Sequence, residues 1–141
     1  MFWIGFLLYV LSFFAISVGL RIPSSTPDHG YESAVWSVFF AFADIKSRLL
    51  GDHPDTRNLL EAFSLLASSL INVFFLFYVL ASRIWRQWRG LEILGFLIVL
   101  MIPFCWIVFH YESMYPREGH FVWISGMLLT IISNKREPTA A

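Results

Sequence analysis

The sequence predicts an all-α integral membrane bundle, with four transmembrane helices and one amphipathic interfacial helix in a single domain spanning residues 1–141. Three observations lead there. Hydrophobic residues form 57% of the chain and charged residues only 14%, against about 25% charged in an ordinary soluble domain. The apolar residues gather into four long runs instead of alternating with polar ones. Fifteen Phe and six Trp exceed what a soluble core of this length requires.

The first run, 2–20, carries no charge and would measure about 28 Å as a helix, enough to cross the hydrocarbon. Ser17 and Gly19, small and two apart, also fit a signal-peptide cleavage site. The length of the run and the lack of Lys or Arg ahead of it favour a retained span. The Pro/Ser/Thr-rich stretch 22–29 reads as a linker.

Residues 31–50 then show Tyr31, Val35, Val38, Phe39, Phe42, Ile45 and Leu49 at three- and four-residue spacing, with Glu32, Asp44, Lys46, Ser47 and Arg48 mostly on the other side. That is the period of an amphipathic helix, and its wholly apolar or small stretch, 34–43, is too short to cross. It is expected to lie in the interface or over the mouth of the bundle, with a fifth, re-entrant or crossing segment as the alternative. Residues 51–56 read as a turn.

The second span, 62–82, follows an N-cap-like Asn58 and Glu61. The third, 93–109, contains Pro103, which cannot donate a helical hydrogen bond and is expected to kink it. The fourth, 117–133, reaches about 27 Å only if its helix starts near Pro116, with Arg117 and Glu118 at headgroup level.

Charge sets the expected threading. Arg83, Arg86 and Arg89 crowd the short connection between spans two and three, interleaved with Trp85 and Trp88, and Lys135 and Arg136 follow span four. The positive-inside rule puts that connection and both termini in the cytoplasm, giving a multi-pass protein of the cell membrane. The Arg83–Trp85–Arg86–Trp88–Arg89 segment is then a set of inner-leaflet lipid contacts.

Two further groups of residues are candidates for function. Ser64, Ser68 and Asn72 lie four apart on one face of span two, suited to helix packing or to a solute path. Gly95 and Gly126 add small-residue faces on spans three and four. On the opposite side of the membrane, His110, Glu112, Glu118 and His120 could gather round a divalent metal, although no established metal-ligand spacing is present.

The inventory excludes more than it offers. No span carries an ionisable residue of the kind a proton-coupled carrier uses at membrane depth. The chain matches the small multidrug carriers in size and expected span count but lacks the acidic residue expected in their first span. It matches the quinone-linked thiol oxidases in helix count, yet has the single cysteine Cys105. Lys plus Arg and Asp plus Glu balance at ten each, so no global field draws in nucleic acid. No nucleophile motif stands out. The expectation is a non-enzymatic accessory or structural subunit without a cofactor, partnered by the bilayer and by a second copy or a larger membrane protein. The alternatives are an oligomeric channel or carrier for a small solute, and a metal-binding membrane protein.

Overall fold

The computed structural model describes residues 1–20, 28–32, 34–35, 38–39, 42–43, 46, 59–85, 87–111 and 114–135. Four helices run through them: α1 (Phe2–Ser12), α2 (Leu59–Ile84), α3 (Gly90–Tyr111) and α4 (Glu118–Lys135). Three short strands, β1 (Ile16–Leu20), β2 (Asp28–His29) and β3 (Met114–Pro116), form one antiparallel sheet in the order β2-β1-β3.

Among the described residues two helical segments, not four, are long and apolar enough to cross a membrane: Phe63–Ile84 and Gly90–His110. The expected first span stops after eleven residues. Ser12 turns its hydroxyl back onto the Tyr9 carbonyl at 2.6 Å. The amides of Phe13, Phe14 and Ala15 then bond three residues back, the tightened winding with which helices often end. The chain continues as β1, where Val18, Gly19 and Leu20 pair with Pro116, Tyr115 and Met114. An apolar run rich in β-branched residues reads equally as helix or strand, and pairing with β3 decides for strand. The expected fourth span fails for a different reason. Its helix has eighteen residues but begins at Glu118, because Pro116 belongs to β3. Glu118 and His120 at one end, with Asn134 and Lys135 at the other, leave the apolar middle too short.

α2 and α3 form a hairpin, and α3 continues through Pro103 as one helix. α1 packs chiefly on α4. That contact is close because neither helix has a side chain in the way. A Cβ on Gly126 would lie 2.5 Å from the Tyr9 nitrogen and 2.8 Å from the Gly5 carbonyl oxygen. One on Gly5 would lie 2.6 Å from Thr130 Oγ1. Small residues that let backbones approach are the usual device of helix pairs in membranes.

Between the two helix pairs lie large rings. Tyr9 and Phe75 stand 4.4 Å apart, and Ile71, Tyr78, Ile98 and Met127 complete a buried core. Contacts of Phe2 with Arg83 and of Tyr78 with Asn134 put the start of α1, the α2–α3 connection and the end of α4 at one end of the bundle. The sheet and His120 lie at the other.

Of the expected interfacial helix, the described residues Tyr31, Glu32, Ala34, Val35, Val38, Phe39, Phe42, Ala43 and Lys46 all have helical backbone. Tyr31, Val35, Val38, Phe39 and Phe42 are exposed. The rest of that segment, most of the expected linker 22–29, the turn 51–56, Asn58, and the tail beyond Lys135 lie outside the described residues.

Candidate functional site

The polar centre of the bundle is Asn72. Its Oδ1 accepts two hydrogen bonds, from Tyr9 OH at 3.1 Å and from Trp123 Nε1 at 2.9 Å. An indole nitrogen only donates, so the amide must present its oxygen to Trp123. One side chain of α2 thereby ties α1 and α4 together. A second tie sits two turns on, where Asn134 Nδ2 donates to Tyr78 OH at 3.1 Å, and Tyr78 OH reaches the Ile131 carbonyl at 3.5 Å.

Ser64 and Ser68, which share a face with Asn72, do not join this network. Ser64 Oγ donates to the Leu60 carbonyl at 2.6 Å and Ser68 Oγ to the Leu65 carbonyl at 2.9 Å. Ser69, Ser82 and Thr130 bond back onto their own helices in the same way. These hydroxyls are therefore satisfied without a solute. Cys105 is buried, with Sγ 3.9 Å from the Met101 carbonyl.

Of the four residues proposed as metal ligands, the three described ones, His110, Glu118 and His120, do not form a group that could hold a metal. His110 is exposed at the end of α3. Glu118 pairs with its neighbour Arg117 at 3.2 Å. Its carboxyl is held below the usual range by a backbone hydrogen bond at the helix start, and then by Arg117. Glu112 lies outside the described residues. His120 is buried between aromatic rings, 4.8 Å from Phe109, 5.3 Å from Trp123 and 5.8 Å from Trp106. Its Nε2 has no hydrogen-bond partner, and burial pushes its pKa down to about 4. Among the described residues no three His, Cys, Asp or Glu side chains are grouped to hold a metal.

At the other end, Arg83 is already engaged. Its guanidinium lies 4.0 Å from the Phe2 ring centroid and 4.6 Å from that of Trp3. The charge therefore rests on α1 as well as facing outward. Trp85, Trp88 and Arg89 are exposed, while Arg86 lies outside the described residues. Trp88 meets Phe77 and Trp85 edge-on, each at 6.4 Å.

Sequence reading singled out Asn72 but neither of its partners. Tyr9 and Trp123 were indistinguishable from the many other rings, and Asn134 stood beyond the expected end of the fourth span. No family model matches this chain, and no curated protein or solved structure compared with it does either.

Proposed function

We propose that this chain is a multi-pass integral membrane protein that acts by helix packing, as a non-enzymatic accessory or structural subunit. The observation that carries this is the distribution of polarity. Ile93, Phe96, Leu97 and Leu100 on α3, and Val73, Leu76, Phe77 and Leu80 on α2, all face outward and exposed. Contiguous apolar surface of that kind belongs against lipid or another protein. Ser64, Ser68 and Asn72 are spent on helix–helix or same-helix hydrogen bonds, with Asn72 joining three helices.

Phe63–Ile84 and Gly90–His110 supply the crossings, and α1 and α4 pack alongside them. The basic connection 83–89 favours the cytoplasmic face for that end of the bundle, in the cell membrane. The exposed apolar residues at 31, 35, 38, 39 and 42 suit a helix resting in the opposite interface.

The test is native mass spectrometry of the tagged chain, expressed in its own host and extracted in mild detergent. A complex with a second membrane protein, or a defined homo-oligomer, supports the packing role. A monodisperse monomer with no partner argues against it. Release from membranes by alkaline carbonate would overturn the integral assignment.

A further inference from the structure

We infer that the α2–α3 hairpin carries a built site for one anionic phospholipid. The inference rests on the membrane reading above. Phe77, Ile84, Trp85, Gln87 and Trp88 line an open groove of about 780 Å³. That falls within the roughly 300–1,000 Å³ of ordinary ligand sites.

The groove is shaped by the sequence around it. Gly90 opens α3, and a Cβ there would run into the Trp88 indole ring. Glycine therefore lets Trp88 fold back over the start of the helix, where Phe77 and Trp85 hold it edge-on. Phe77 and Ile84 lie seven residues apart on α2, giving an apolar wall about 10 Å long.

Position and charge choose the occupant. The groove sits where both membrane-crossing helices end, at Ile84 and Gly90, so its apolar wall points into the hydrocarbon and its mouth lies at headgroup depth. Arg89 directly follows Trp88 of the lining, and Glu92 is the acid in the first turn of α3. Arg83 is held on α1 by Phe2 and Trp3, which leaves Arg89, exposed and directly after Trp88, to meet a phosphate. Gln87 in the lining offers an amide donor to the same headgroup. An acyl chain along Phe77 and Ile84, with its phosphodiester at Arg89, satisfies both halves of the site.

The experiment is native mass spectrometry of the full chain in mild detergent, with phosphatidylglycerol and phosphatidylcholine of identical acyl chains added in equal amounts. The expected result is one retained lipid, with phosphatidylglycerol preferred. Arg89→Ala, an exposed substitution, lowers that preference about fivefold, as removal of one basic residue near the surface should. Gly90→Ala displaces Trp88 and lowers retention of both lipids. Arg117→Ala, at the opposite end, changes neither. Equal retention of the two lipids by the native chain overturns the site, as does an unchanged result in either hairpin variant. A chain that stays integral to membranes yet shows no lipid preference sinks the site alone. A chain released by alkaline carbonate sinks the membrane reading with it.

Discussion

The hydroxyl of Tyr9 donates to Asn72 Oδ1 across 63 positions of chain, and the same oxygen takes the indole proton of Trp123. Three helices meet at one acceptor. In a bundle whose other contacts are mostly apolar and non-directional, that acceptor defines how α1 and α4 sit on α2.

Asn72→Leu leaves the Tyr9 hydroxyl and the Trp123 nitrogen without their acceptor. A loss of about 1–3 kcal/mol is expected, read as a lower unfolding midpoint in detergent. Tyr9→Phe removes only one donor and costs less. In the double variant the two effects are less than additive, because they act on one bond. Full additivity would show that Tyr9 and Asn72 are not coupled.

Gly126→Leu cannot be accommodated at the present helix separation, since even a Cβ would lie 2.5 Å from the Tyr9 nitrogen. α1 must move away from α4. The expected outcome is faster amide exchange throughout Phe2–Ser12 with little change in Gly90–Tyr111, measured by hydrogen–deuterium exchange. Equal protection of α1 in both proteins would show that the close approach is not what holds it.

Arg83→Ala frees the Phe2 and Trp3 rings from the guanidinium above them. A cost of about 0.5–2 kcal/mol is expected, concentrated at the start of α1. Arg83→Lys keeps the charge and part of the contact and falls between the two. Limited proteolysis of the N-terminal residues reads this out, with cleavage ordered Ala over Lys over Arg.

His120 makes stability depend on pH. Its folded pKa is pushed from 6.5 down to about 4 by burial among rings. Above 6.5 the ring is neutral in both states, and its full contribution is present. As pH falls through that value the unfolded chain takes up a proton that the folded chain refuses, so stability declines until about 4. The total is on the order of 3 kcal/mol. Thermal unfolding from pH 7.5 to 4 (roughly the range bracketed by these values) should show this decline in the native chain and a shallower one in His120→Phe. Parallel curves would remove His120 as the cause.

The apolar runs expected at 62–82 and 93–109, found as Phe63–Ile84 and Gly90–His110, the basic aromatic connection between them, and Asn72 as a polar residue of α2 were all legible in the chain. Each depends on composition and on spacing within one segment, which physical chemistry reads locally. The fate of residues 16–20 was not. A short apolar stretch is equally good helix or strand, and β3, nearly a hundred residues away, settled it by pairing. The place of His120 was likewise a tertiary decision. In sequence it belonged to a polar loop beside His110 and Glu118, whereas packing of α4 against Trp106 and Phe109 buried it among rings. Gly5 carried no signal until Gly126 lay opposite it. Sequence by itself determined which segments are strongly apolar, because apolarity is a sum over neighbouring side chains. Only the tertiary structure decided which faces meet and which donor finds which acceptor, because those energies exist only between residues that the fold has already brought together.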